Sequence, residues 1–126
     1  MKLLLDTNIV LWWQGELGQL REDIRTAILV ADAVYVSAAS AWEAEIKRSS
    51  GKLAFPHRFT DVLEPNGFLE LPVTVRHAHV AAKLPLYHRD PFDRMLVAQA
   101  IVEGCTLVTA DRHLAQYGVP ILDARS

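Results

Sequence analysis

The sequence predicts an α/β fold with a mainly parallel central sheet. Short runs of leucine or β-branched residues alternate with segments whose apolar residues recur every three or four positions, and this alternation is typical of βαβ units. The chain has 126 residues, of which 51% are hydrophobic. That length and that apolar share predict one domain, 1–126, with a core of its own.

The predicted strands are short and the predicted helices lie between them. The strands are expected at residues 3–5, 33–37, 68–73, 106–109 and 119–122. The helices are expected at residues 8–13, 20–30, 39–48, 59–63, 75–83, 91–103 and 112–117. The helix at 91–103 has the clearest boundaries, because Asp90 suits its N-cap, Pro91 its first position and Gly104 its end.

Composition and charge exclude several classes of protein. A single cysteine, Cys105, forms no internal disulfide and no paired-cysteine zinc site. Asp6 interrupts the apolar start before a signal peptide can form, and no apolar run reaches the length of a membrane helix. We therefore expect a cytoplasmic protein without a membrane segment. The formal net charge of −2 disfavours a passive nucleic-acid-binding module more than it disfavours an enzyme.

Four acidic residues lie at strand–helix junctions of this predicted fold. Asp6 follows the first strand, Glu43 is expected in the first turn of the helix after the second, Asp93 opens the helix 91–103, and Asp111 follows the strand 106–109. Ligands of open α/β sheets bind beyond the carboxyl ends of the strands, so the four side chains could converge there. Clustered carboxylates repel unless cations intervene, and all-oxygen ligation suits Mg²⁺ or Mn²⁺. Such ions can promote phosphodiester hydrolysis.

Each acid also has a purely local explanation. Asp6 could shape a turn, Asp111 could cap the last helix, and Ser40 with Glu43 matches a capping box. The residues alone leave open a non-catalytic interaction module whose acids only cap helices. An aspartyl-nucleophile phosphatase or receiver domain is disfavoured, because residue 8 is Asn8 rather than a second acid and no lysine follows Lys83.

Four sequence blocks in order resemble a known family. They are Leu-Leu-Leu-Asp6-Thr7-Asn8, then Ser37-Ala-Ala-Ser40-Ala-Trp42-Glu43, then His88-Arg-Asp90-Pro-Phe-Asp93-Arg94 with Ala-Gln99-Ala behind it, and finally Leu-Val-Thr109-Ala-Asp111. The chain resembles PIN-domain endoribonucleases, and more narrowly the VapC-type toxins of bacterial toxin–antitoxin pairs. The third block is the most specific, and the likeness extends over nearly the whole chain.

The resemblance implies a fold, an activity and a set of site residues. The fold is a three-layer α/β/α sandwich around a parallel sheet, and the activity is RNA cleavage that depends on Mg²⁺ or Mn²⁺. Asp6 and Asp93 match the principal metal ligands, Glu43 and Asp111 complete the catalytic acidic quartet, and Thr7, Asn8 and Thr109 match residues that orient acids or water. The resemblance also implies a homodimer that binds a small antitoxin.

Other residues near these blocks carry weaker expectations. Four basic residues could contact the RNA backbone, or could only balance neighbouring acids: Lys47, Arg89, Arg94 and Arg112. His88 and His113 are expected in surface or capping roles. Trp12 and Trp13 are adjacent, so we expect only one of them to face the core and the other to be free for a partner.

Overall fold

A computed structural model describes residues 1–15, 20–54 and 58–125. Its strands are Lys2–Leu5 (β1), Ala33–Ser37 (β2), Leu69–Leu71 (β3), Thr106–Thr109 (β4) and Ile121–Asp123 (β5). Its α-helices are Thr7–Gln14 (α1), Glu22–Val30 (α2), Ala38–Ser49 (α3), Phe59–Leu63 (α4), Val75–Lys83 (α5) and Pro91–Glu103 (α6). Two 3₁₀ helices, Glu64–Asn66 and Arg112–Tyr117, complete the described elements.

The five strands form one parallel sheet in the order β3-β2-β1-β4-β5, which confirms the predicted fold class. β1 is the central strand, and Leu3, Leu4 and Leu5 are fully buried because both faces of the sheet are covered. The chain winds outward from β1 in both directions, so the strand order reverses between β1 and β4. A crevice at the carboxyl ends of these two strands is the usual ligand site of such a sheet.

Two apolar cores lie on opposite faces of the sheet. Leu3 and Leu5 point to one face and pack in a cluster with residues of α1 to α4. Leu4 points to the other face and packs with residues of α6 and the last 3₁₀ helix. This division follows from the two-residue period of a strand. Helices therefore cover both faces, as a three-layer sandwich requires.

The predicted elements differ from the observed ones mainly at their ends. The strand expected at 68–73 is confined to Leu69–Leu71, the last strand is shifted to Ile121–Asp123, and the helix expected from residue 20 begins at Glu22. Residues 112–117 form a 3₁₀ helix rather than an α-helix. Within the described ranges, no helix has the length and apolarity needed to cross a membrane.

Candidate active site

The four acids predicted from the sequence line one cleft at the carboxyl ends of β1 and β4. The cleft has a volume of about 360 Å³. Its other lining residues are Thr7, Asn8, Lys47, Asp90 and Ala110. The structure thus brings together side chains that are more than a hundred positions apart in the sequence. It does so at the point where the strand order reverses.

Asp6 is held by hydrogen bonds to both of its carboxylate oxygens. It is the N-cap of α1, and its Oδ1 accepts from the Thr7 N–H at 2.6 Å. Its Oδ2 accepts from the Thr109 hydroxyl at 2.7 Å. Burial raises the pKa of Asp6, the two hydrogen bonds oppose that rise, and the charges of Glu43 and Asp111 add to it. Its orientation is therefore fixed even though its charge is costly.

Glu43 lies in the second turn of its helix rather than in the first, where the sequence predicted it. α3 begins at Ala38, because the Ser37 hydroxyl accepts from the Ala39 N–H at 3.0 Å and caps the helix there. The local alternative, a capping box of Ser40 with Glu43, is therefore wrong. Glu43 is buried, its Oε1 accepts from the Thr7 hydroxyl at 2.7 Å, and its Oε2 lies 3.0 Å from the Lys47 ammonium.

Asp111 is also held through both oxygens. Its Oδ1 accepts from the His113 N–H at 3.0 Å, so it caps the last 3₁₀ helix as the local explanation proposed. Its Oδ2 lies 3.0 Å from Nε2 of His88. Its own N–H donates to the Thr109 hydroxyl oxygen at 3.0 Å. Capping and membership of the acidic cleft are therefore compatible roles for one residue.

Asp93 differs from the other three acids. Asp90 caps α6 and accepts from the N–H groups of Phe92 and Asp93, as predicted, which leaves Asp93 inside the first turn. Among the described residues, no group donates a hydrogen bond to the Asp93 carboxylate, and the nearest basic nitrogen is Nε2 of His88 at 3.5 Å. Burial raises its pKa to about 7, and Asp6 and Asp90 add to the rise. Asp93 is therefore the least compensated of the four carboxylates.

His88 is the site residue that the sequence reasoning missed. Surface or capping roles were expected for it, yet its Nε2 and single oxygens of Asp93 and Asp111 all lie within 4.8 Å of one another. Its side chain is only 25% exposed. The available signal was its place in the same sequence block as Asp93, five positions earlier. A loop, rather than a helix face, carries it into the site, and periodicity does not report on loops.

The predicted basic residues fall into different environments. Lys47 lines the cleft, and its hydrogen bond with Glu43 raises the pKa of its ammonium group. Arg89 and Arg112 are exposed. The expectation that Arg94 contacts RNA is corrected, because its guanidinium donates to the backbone carbonyls of Ala81, Leu84 and Pro85, each at 2.9 Å. These bonds use the groups that a phosphate would need.

The tryptophans are arranged differently from the expectation. Trp12 and Trp13 both pack, partly buried, against the apolar core on the α1 side of the sheet. The Trp13 indole N–H also donates to the Asn66 side chain at 3.0 Å. The expectation that only one of the two faces the core is therefore wrong. Trp42, by contrast, is 66% exposed and meets Phe92 edge to face, with ring centroids 5.4 Å apart.

The donor set of the cleft fits a hard divalent cation. Carboxylate oxygens from four residues face one space, and such ligands suit Mg²⁺ or Mn²⁺ better than soft thiolate sites do. The one free thiol, Cys105, is buried and does not line the cleft. The raised pKa of Asp93 shows that the negative charge in the cleft is not balanced by nearby positive charge. A bound cation would balance it.

Comparison with known proteins identifies the family and agrees with this fold. Residues 3–120 match the family model described as PIN domain. The chain is 34% identical over 123 residues to "Ribonuclease VapC22" of Mycobacterium tuberculosis, a match that covers 94% of this chain and 93% of that protein.

Two solved structures share the fold over 98% of both chains. VapBC2 from Rickettsia felis, bound to a DNA fragment from its promoter, gives a TM-score of 0.75 at 14% identity. DNA-bound VapBC from Salmonella typhimurium gives a TM-score of 0.70 at 21% identity. At these identities the likeness speaks for the fold alone, whereas the family model and the VapC22 match concern the sequence itself. The chain belongs to the PIN-domain family, and within that family to the VapC type.

Proposed function

We propose that this protein is a Mg²⁺- or Mn²⁺-dependent endoribonuclease and the toxin of a toxin–antitoxin pair. One observation carries the proposal: four carboxylates from distant parts of the chain line a single cleft, and one of them, Asp93, has no hydrogen-bond donor of its own among the described residues. A purely structural set of helix caps needs no shared cleft. The ribonuclease named as a relative, VapC22, supports RNA as the substrate class.

In this proposal some residues of the cleft bind the cation and others orient the carboxylates. Asp6 and Asp93 hold the cation, and Glu43 and Asp111 complete the site. Thr7 orients Glu43, Thr109 orients Asp6, and Asn8 is an exposed residue that lines the cleft. A divalent cation bound here would polarise the phosphodiester and make water a better nucleophile. The protein itself supplies Asp6, Glu43 and Asp111 as carboxylates already held by hydrogen bonds, which limits the reorganisation that RNA binding would require.

Basic residues around the cleft would bind the RNA backbone. Lys47 already lies at the cleft, and its side chain is about half exposed. Arg89 follows His88 directly and Arg112 follows Asp111 directly, and both are exposed. Contacts from these three side chains to phosphates would position the strand without selecting its sequence. Arg94 is not part of this set.

The partners are proposed from the relatives. The structural neighbours include VapBC complexes and a toxin–antitoxin complex from Klebsiella pneumoniae, which supports a small antitoxin as partner. We further propose a homodimer that acts in the cytoplasm. An antitoxin that covers the cleft would have to place positive charge there, because the cleft is lined by five acids, the four named above and Asp90.

Expression of the chain alone in a bacterial host tests the activity. We expect growth arrest and RNA cleavage with the parent, and loss of both with Asp6→Asn or Asp93→Asn. Asp61→Asn is the matched control, because Asp61 is an exposed acid that does not line the cleft and no change is expected there. If Asp6→Asn together with Asp93→Asn cleaved RNA as fast as the parent, the carboxylate mechanism would be wrong.

The chemistry of the cut ends provides a separate test. Purified protein with Mg²⁺ or Mn²⁺ should leave a 5′-phosphate and a 3′-hydroxyl, because water is the expected nucleophile. Chelation of the divalent cation should stop the reaction and its return should restore it. A 2′,3′-cyclic phosphate would instead show that the neighbouring 2′-hydroxyl attacks. Cleavage that continues in the presence of chelator would contradict the proposed metal dependence.

A further inference from the structure

His88 lies in a loop that is anchored through its backbone. The His88 N–H donates to the Tyr117 hydroxyl at 3.0 Å, and that hydroxyl donates in turn to the Pro85 carbonyl at 2.8 Å. The Arg94 guanidinium donates to the Leu84 and Pro85 carbonyls at 2.9 Å and approaches the His88 carbonyl at 3.4 Å. All these bonds use main-chain groups on the loop. None of these bonds involves the side chain at position 88, so they remain available when that side chain is replaced.

The imidazole of His88 is oriented by its own neighbours. The Asp90 N–H donates to Nδ1 at 3.3 Å, so Nδ1 presents a lone pair. In a neutral imidazole the ring proton then lies on Nε2. That nitrogen faces Oδ2 of Asp111 at 3.0 Å and Oδ2 of Asp93 at 3.5 Å. The backbone of residue 90 thus selects the tautomer that donates toward the two acids.

The same three side chains could also be taken for a metal site. His88, Asp93 and Asp111 each offer one ligand atom, all within 4.8 Å of one another. A metal bound through Nε2 would need the lone pair of that nitrogen, however, and would place the ring proton on Nδ1. The Asp90 N–H already points at Nδ1, so two hydrogens would then face each other. The contact from the Asp90 N–H therefore favours an imidazole that donates a hydrogen bond from Nε2 over one that binds a metal through Nε2.

We propose that His88 is a positioning residue of the active site: its Nε2–H holds Asp111 and lies between Asp111 and Asp93 without binding the metal. The proposal rests on the proposed nuclease function. Asp111 has one donor on each oxygen, the His113 N–H and His88, so the plane of its carboxylate is fixed. Without His88 a single donor remains, and the carboxylate can rotate about it. Asp93 would also lose its 3.5 Å contact with Nε2 of His88.

Nitrogen NMR of the imidazole on the full chain tests the assignment without any variant. At mildly alkaline pH we expect the His88 ring proton on Nε2, both in metal-free protein and with saturating Mg²⁺. We expect the same tautomer with Zn²⁺, the ion that binds imidazole more readily. A proton on Nδ1 in any of these samples, or a shift of Nε2 to the position of a metal-bound nitrogen, would overturn the proposal.

Three variants separate positioning from ligation. The side-chain N–H of His88→Gln reaches the place of Nε2, that of His88→Asn reaches only the place of Nδ1, and His88→Ala has none. We expect kcat on a cleaved RNA to fall about 10- to 100-fold in His88→Ala and His88→Asn, the usual cost of losing a partner of a metal-site carboxylate, while His88→Gln stays within about 3-fold of the parent. We expect KM to be nearly unchanged in all three.

Mn²⁺ affinity by calorimetry completes the test, with melting temperature as the folding control. Parent and His88→Gln should bind Mn²⁺ alike, since the imidazole is not a ligand. The proposal is overturned if His88→Gln loses Mn²⁺ affinity and activity as fully as His88→Ala does, or if all three variants equal the parent. The nuclease function is tested separately by Asp93→Asn: a failure there leaves the NMR and Mn²⁺ results for His88 standing on their own.

Discussion

Replacement of Asp93 by asparagine should stabilise the metal-free protein. The carboxyl pKa rises from 3.8 to about 7 on folding, so the folded state binds more protons than the unfolded state between these values. The favourable contribution of the Asp93 carboxyl group to the free energy of unfolding is therefore fully present below pH 3.8 and is lost as the pH rises through about 7. Asparagine keeps the shape and removes the charge, and with it the pH-dependent cost.

The size of the effect follows from the pKa change. Each pKa unit corresponds to about 1.4 kcal/mol, so the ionised carboxylate disfavours folding by about 4 kcal/mol at about pH 8 and about 2 kcal/mol at about pH 5. These are upper limits, because the Asp93 side chain is 19% exposed and its amide replacement also lacks hydrogen-bond donors in the cleft. We expect a net gain of about 1–3 kcal/mol at about pH 8 and a smaller one at about pH 5.

Thermal and urea unfolding in chelator, at both pH values, measures this gain. Asp61→Asn, an exposed acid outside the cleft, is the matched control and should leave stability unchanged. Saturating Mn²⁺ should then reverse the order, because the parent gains binding energy that Asp93→Asn cannot gain. A variant less stable than the parent in chelator at the higher pH, or a difference that does not change with pH, would refute the electrostatic reasoning.

Three further substitutions test the groups that hold the acids and end α6. Thr109→Val removes a donor from Asp6 and an acceptor from the Asp111 N–H, so we expect a loss of about 1–3 kcal/mol in urea unfolding; an unchanged midpoint would contradict these hydrogen bonds. Lys47→Met leaves the buried Glu43 without its ammonium partner and should cost about 1–2 kcal/mol in chelator, whereas the exposed Lys52→Met should cost nothing measurable. Gly104→Ala forces a side chain onto a backbone with φ of +69° in open space, so strain alone should lower stability by about 1–2 kcal/mol, and circular dichroism should detect it as a lower melting temperature.

Much of the acidic cleft could be predicted from the sequence because each acid is tied to a local signal. Asp6 and Asp111 follow apolar strands, and parallel strands place their carboxyl ends at one edge. Asp90 and Asp93 could be separated because a helix that begins with proline places its cap one residue earlier. Each of these arguments depends on residues within a few positions of the acid, so the amino-acid sequence is enough to make it.

Predictions from the sequence were wrong where a side chain had more than one possible contact. Ser37 rather than Ser40 caps α3, since the helix begins directly after the strand, three residues earlier than the capping-box pattern suggests. Arg94 could have faced RNA, but the carbonyls at the end of α5 and in the following loop bind it instead. Trp12 and Trp13 both pack on one core, because neighbouring helix positions differ by about 100° and large rings reach around that angle.

The sequence by itself predicted the parallel α/β fold and the four carboxylates at its strand–helix junctions, and it left open whether those acids hold a cation or only cap helices. The prediction was possible because strand and helix periods, caps and acid placement are local properties of the chain. Only the tertiary structure decided that Asp93 lacks a donor in the cleft and that His88 faces it and Asp111. Those facts depend on contacts between residues 88 and 111, and between the loop and Tyr117, that lie more than twenty positions apart. Such contacts exist only in the folded chain, and they determine which of the four carboxylates lacks a hydrogen-bond donor.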